Sequence, residues 1–236
     1  MNLGTEGSDP SSPMSRGVAA KMHIHYSEGM HFFLALYFLL QGLPALIDGV
    51  ERTFARMNDF SADFHQISKD VLNRTQQAAG HLYLKRQRMA RWEYTTPEEQ
   101  LFVSNGKTVY FYVPSDKQVN REAVKDTFDD RIPLMFLLGR SNLADEFKNF
   151  ELLNTQPFLA GTKVVRMTPK RKTDLKELIM EVDPQNFQIR RLVLDHSDGS
   201  HSEFIFSNIR TNTGLKATLF DFKVPPGVQI VEGIGQ

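Results

Sequence analysis

The sequence predicts an α+β chain built on one antiparallel meander, and three observations carry that reading. From Gly80 onward apolar residues recur at every second position in short runs. The runs are punctuated by Asn105-Gly106, Asp183-Pro184 and Asp198-Gly199, turn pairs tight enough to make consecutive strands antiparallel neighbours. Ahead of them Ile47, Val50, Phe54, Met57, Phe60 and Phe64 recur at three- and four-residue steps, one stripe of a helix, with Glu51, Arg52, Arg56 and Asp59 on its other side.

Composition narrows the function classes. The 236 residues are 41% hydrophobic and 24% charged, an ordinary globular make-up for one domain. Lys and Arg number 28 and so do Asp and Glu, so no surplus charge draws the chain to nucleic acid or anionic lipid. With no cysteine there is no disulfide, thiolate nucleophile, zinc finger or iron–sulfur cluster, and no residue on which an N-terminal lipid anchor forms. The 18 Phe, 6 Tyr and 1 Trp carry apolar area that must be buried or must bind something.

Taken in order, residues 1–29 are rich in Gly, Ser and Pro and cannot supply a core, so they are expected to be a disordered leader or to precede the true start. Arg16 and Lys21, the apolar run Phe32–Leu40 and the breaker Gln41-Gly42-Leu43-Pro44-Ala45 follow in the order of a secretory signal. That run falls short of the roughly 20 residues needed to span a bilayer. A buried first helix is the competing reading. Cleavage after Ala45 leaves residues 46–236 as the folded domain.

After the helical stripe, strands are expected at His81–Arg86, Met89–Tyr94, Gln100–Ser104, Thr108–Val113, Lys163–Thr168, Glu177–Val182, Gln188–Leu194, Ser202–Ile209 and Ala217–Lys223. Pro133 near the start and Gly139 at the end mark 132–139 as a short helix, with a second over Asn142–Phe147. Several strands are apolar on both faces: Val109-Tyr110-Phe111-Tyr112-Val113, Leu192-Val193-Leu194 and Phe204-Ile205-Phe206. A sheet with one wet face would alternate with polar residues, so both faces must be covered. Periodicity alone fits a filled core most simply, and also fits a curved sheet enclosing an apolar cavity.

Catalytic and metal-site patterns are weak. Asp195-His196-Ser197-Asp198-Gly199-Ser200-His201 holds suitable residue types, but an Asp-Gly hairpin turn accounts for them and their order fits no catalytic elbow or zinc site. No catalytic residue, metal or cofactor is therefore assigned. Lys85-Arg86-Gln87-Arg88-Met89-Ala90-Arg91-Trp92 packs four cations into eight positions. Such a run is ordinarily a solvated hairpin, yet one guanidinium could turn inward and donate to backbone carbonyls of a covering element.

An ordered series of short motifs resembles one family. Gly80-x-Leu82-x-Leu84-Lys85-Arg86, Arg91-Trp92-Glu93-Tyr94, Pro97-x-x-Gln100, Val103-Ser104-Asn105-Gly106-Lys107, Tyr110-x-Tyr112-x-Pro114 and Gln118-Val119 look like the outer-membrane lipoprotein carrier family, LolA. Phe204-x-Phe206-Ser207-Asn208-Ile209, Phe220-x-Phe222 and Pro225-Pro226-Gly227-Val228 extend the likeness to about residues 46–232. Gln87 and Ala90 stand where the family commonly has a proline and an aromatic residue.

The resemblance implies a single strongly curved antiparallel sheet, an unclosed β-barrel, with a helical lid over an apolar cavity, in an exported periplasmic protein without enzymatic activity. It implies Arg86 as the residue that ties the lid shut. The cavity and lid would be lined by Val50, Phe54, Met57 and Phe64, by Leu82, Leu84, Trp92, Tyr94, Phe111, Phe204 and Phe206, and by Leu134, Phe136, Leu137 and Leu138. The implied partners are acylated lipoproteins, an ATP-driven inner-membrane transporter that releases them, and an outer-membrane receptor or the membrane itself, met as a monomer. The absence of cysteine sets the chain apart from the receptor, itself a lipoprotein. A periplasmic lipid-binding sensor or adaptor of the same fold is the alternative, and a lipid hydrolase using His196 a third reading.

Overall fold

The structure is a computed structural model and describes residues 42–124 and 143–233. Helix α1 (Leu43–Arg56) opens with Pro44 in its first turn, where a missing N–H costs nothing, and closes with Arg56 against its negative end. Twelve strands follow: β1 (Asp59–Lys69), β2 (Thr75–Lys85), β3 (Met89–Thr96), β4 (Gln100–Asn105), β5 (Thr108–Val113), β6 (Gln118–Ala123), β7 (Phe147–Leu153), β8 (Lys163–Pro169), β9 (Leu175–Val182), β10 (Ile189–His196), β11 (His201–Thr211) and β12 (Gln229–Glu232).

They form one sheet in the order β12-β6-β5-β4-β3-β2-β1-β11-β10-β9-β8-β7, with β12 and β7 at its two ends, so the sheet is unclosed. It is also curved. Trp92 on β3 and Phe204 on β11 stand three strand spacings apart, roughly 14 Å on a flat sheet, yet their ring centroids are 5.3 Å apart. Inner-face residues of β1–β5 and of β7–β11 join the apolar stripe of α1 in one hydrophobic cluster.

The expected helical stripe is too long. The helix ends at Arg56, Met57 caps it with extended backbone, and Phe60 and Phe64 lie on β1. A four-residue step belongs equally to a helix face and to one face of a strand, and Phe60-Ala62-Phe64 is the strand pattern. Asp59 is not solvent-facing; it is buried. The second expected helix shrinks to one turn, α2 (Leu143–Glu146), which runs straight into β7. The first, at 132–139, lies outside the described residues, as do Leu134, Phe136, Leu137 and Leu138.

The sheet is mixed, not purely antiparallel: β12 pairs with β6 in parallel. The expected strand at Ala217–Lys223 is replaced by a 3-10 turn, Ala217–Phe220. From there the chain crosses the outer face before returning beside β6, and a crossover, unlike a hairpin, delivers a parallel neighbour. This crossover covers the second apolar face of β5: Val109 and Phe111 point to the inner cluster, while Tyr110 and Tyr112 pack on Phe222 at 5.3 and 5.6 Å. Phe220 is fully buried beneath it.

Candidate functional site

The inner face gathers the expected apolar residues from distant parts of the chain. Val50, Phe54 and Met57 descend from α1, Phe64 stands on β1, Leu82 and Leu84 on β2, Trp92 on β3, and Phe204 and Phe206 on β11; all are buried in one cluster, with Tyr94 and Phe111 packed against it. At its centre Phe64 meets Trp92 and Tyr94 edge-on, each at 5.1 Å, the preferred geometry for ring quadrupoles. Sequence reasoning missed Phe60, Phe102, Leu178, Met180, Leu192 and Leu194, which also belong to it. Phe60 falls on the expected helical stripe; for the others the signal was present in the every-second-residue alternation of strands already expected, which tells inner from outer positions once the register is known.

Gly80 fixes how closely β2 and β3 approach. A Cβ there would stand 1.8 Å from the Glu93 carbonyl oxygen, so glycine is required where the register shifts between Ala79 and Gly80. On β3 beside it, Trp92 and Tyr94 alternate onto the inner face.

Arg86 sits in the turn between β2 and β3, beside the start of β1. Its Nε donates to the Met57 carbonyl at 2.9 Å and its Nη2 to the Ala55 carbonyl, while its backbone N–H donates to the Asn58 carbonyl at 3.1 Å. A helix leaves its last four carbonyls without internal partners, and the guanidinium fork meets two carbonyls at the end of α1 while placing positive charge at the negative pole. Gln87 follows with φ 67°. Proline, locked near −65°, cannot adopt that conformation.

A second tether holds the other side of the same corner. Asp59 accepts from the Thr213 amide at 2.7 Å and hydroxyl at 3.1 Å, and from the amides of Gly214 at 3.0 Å and Leu215 at 3.2 Å. Burial works to raise the Asp59 carboxyl, but these donors outweigh it and hold the group below the ordinary aspartate range.

Toward the opposite end of β1 the inner face becomes polar. The Tyr94 hydroxyl donates to Gln66 Oε1 at 2.9 Å, and burial pushes its phenol upward. Beyond it opens a recess of about 630 Å³ whose lining includes Gln66, Ser68, Gln76, Thr96 and Gln100. The Asp195–His201 segment is a hairpin turn in which His201 Nδ1 and Asp195 Oδ1 stand 2.5 Å apart.

The chain is similar to several known proteins. Residues 55–223 match the family described as outer membrane lipoprotein carrier protein LolA. An outer-membrane lipoprotein carrier protein of Azotobacter vinelandii is 30% identical over 197 residues, which cover 82% of this chain and 87% of that one. Its counterpart in Chromohalobacter salexigens is 29% identical over 187 residues, 78% of this chain and 86% of the other. A crystal structure of a LolA superfamily protein from Nitrosomonas europaea superposes with a TM-score of 0.44 at 12% identity, covering 76% of this chain and 97% of that one.

Proposed function

Since this chain belongs to the outer membrane lipoprotein carrier protein family, LolA, we propose that it carries lipoproteins through the periplasm to the outer membrane, holding their acyl chains against its concave face. The observation that carries this reading is the amphipathic helix α1 laid over an aromatic and aliphatic inner face and fastened at its C-terminal end by Arg86.

The energetics explain why a carrier is needed. Each exposed CH₂ costs about 0.8 kcal/mol, so one acyl chain of about 16 carbons left in water costs on the order of 12 kcal/mol. A triacylated protein therefore cannot cross an aqueous gap bare. In the loaded state Val50, Phe54 and Met57 at α1 would swing from Phe64, Leu82, Leu84, Trp92 and Phe204 and open an apolar cavity between them. The Arg86 bonds to α1 raise the cost of that opening, so loading stays only modestly favourable and release to the next acceptor remains possible.

On this reading the protein is a binding chaperone, not an enzyme. It would be loaded by an ATP-driven inner-membrane transporter and unloaded at an outer-membrane receptor. Native mass spectrometry of protein recovered from a periplasmic extract tests the proposal. Adducts with the mass of triacylated proteins are expected; recovery of the bare polypeptide alone, from cells making abundant lipoproteins, would count against it.

A further inference from the structure

Two side-chain polar atoms among the described residues are buried without a hydrogen-bond partner, Trp92 Nε1 and Arg190 Nε. The first stands at the heart of the proposed acyl site. Trp92 is 1% exposed, and its ring is enclosed by Phe64 at 5.1 Å and Phe204 at 5.3 Å, neither of which can accept its proton in a conventional bond. A buried donor left unmet is costly, and native proteins seldom tolerate one without a reason. Phenylalanine would place an aromatic ring in the same apolar setting with no donor to leave unmet.

The neighbouring residue on the same face marks a change of chemistry. Tyr94 touches Phe64 through its ring and Gln66 through its hydroxyl, so hydrocarbon lies on one side of it and the amide-lined recess on the other. An acylated glyceryl group has the same division: alkyl tails, then ester carbonyls that accept but cannot donate, then a polar remainder. We propose that Trp92 Nε1 is the donor that recognises an ester carbonyl of the bound lipoprotein, with the polar remainder of the lipid anchor lying toward the Gln66–Gln76 recess. This inference rests on the carrier reading. It adds that the site reads the head of the lipid as well as its tails.

The experiment uses the whole protein and three probes with identical saturated chains: a diacylglyceryl-cysteinyl lipopeptide, its dialkyl-ether analogue, which lacks both ester carbonyls, and a diester phosphatidylglycerol. Wild type is expected to bind the ester lipopeptide about tenfold more tightly than the ether, the worth of one hydrogen bond. Trp92→Phe leaves a smaller aromatic ring without the N–H and is expected to bind ester and ether alike, the tenfold preference being lost whatever the change in overall affinity. Equal binding of ester and ether by wild type overturns the assignment without any variant, as does an undiminished ester preference in Trp92→Phe. Phosphatidylglycerol bound as tightly as the lipopeptide would overturn the assignment to lipoproteins in favour of membrane lipid. If no probe binds, the carrier reading fails and takes this inference with it, an outcome distinct from the other three.

Discussion

Arg86 and Asp59 act on one corner of the molecule, and their chemistry separates their roles. Asp59 is buried and meets four donors, so Asp59→Ala removes the acceptor of three amides and a hydroxyl at once. A loss of about 3 kcal/mol is expected in urea unfolding. Because folding holds this carboxyl below its ordinary value of 3.8, its contribution is complete above that pH. It disappears as pH falls through the lower folded-state value. Asp59→Asn should therefore show a shallower loss of stability below about pH 4 than wild type. A parallel acid profile in the two proteins would remove Asp59 from the account. Arg86 is exposed, and its partners are carbonyls at the end of the helix that the proposed carrier mechanism sets in motion. Arg86→Leu lowers the cost of opening, so lipoprotein should be held longer, with transfer to an acceptor slowed roughly tenfold for about 1.4 kcal/mol of lost closure. Transfer at the wild-type rate would show that Arg86 is not the latch.

At the level of elements, the sequence is legible where periodicity is unambiguous and opaque where two periods coincide. The strands from β2 to β5 and from β8 to β11 could be read from alternation and from Asn-Gly, Asp-Pro and Asp-Gly turns, and all are present. The helix-to-strand change at Asn58 was hidden because Phe60 and Phe64 satisfy both periods. β6 was missed because Gln118-Val119-Asn120-Arg121-Glu122-Ala123 has one strongly apolar residue, Val119, the one it buries. The residues of the inner face were legible as apolar; the recess and the unmet Trp92 donor were not, since both arise only when β1, β2 and β3 come side by side. Also invisible in sequence was the linkage of β9, β10 and β11 across the outer face. Arg191 donates to Glu181 at 2.8 Å and to Glu203 at 2.7 Å, while Glu181 also accepts the Phe158 and Leu159 amides at 2.9 Å. The network pins the loop between β7 and β8 to the sheet. Arg191→Met leaves two carboxylates facing each other in a largely dry site. Its cost should be about 3 kcal/mol, with faster amide exchange at Phe158 and Leu159. Unchanged exchange there would show that the loop is held by other contacts.

Across the whole molecule, one sheet carries two coverings that serve different ends. On the outer face the crossover of Phe220 and Phe222 seals β3–β5, and Arg91 Nη1 donates to the Leu219 carbonyl at 3.4 Å to hold it in place. This covering is structural, and Phe220→Ala should cost about 3–4 kcal/mol by opening a void beneath it. A cost under 1 kcal/mol would mean that the crossover is dispensable. On the inner face α1 covers the aromatic cluster through side-chain packing and two guanidinium bonds, with no backbone pairing to the sheet among the described residues. A covering of that kind can leave and return without unravelling a ladder, as the proposed lid movement requires. The assay nearest to this claim adds the purified protein to spheroplasts whose lipoproteins are labelled and assembled in the inner membrane. The account predicts that labelled lipoprotein appears in the supernatant bound to this protein, and only when it is added. Lipoprotein that stays with the spheroplasts, while an established carrier releases it in the same preparation, would contradict the account.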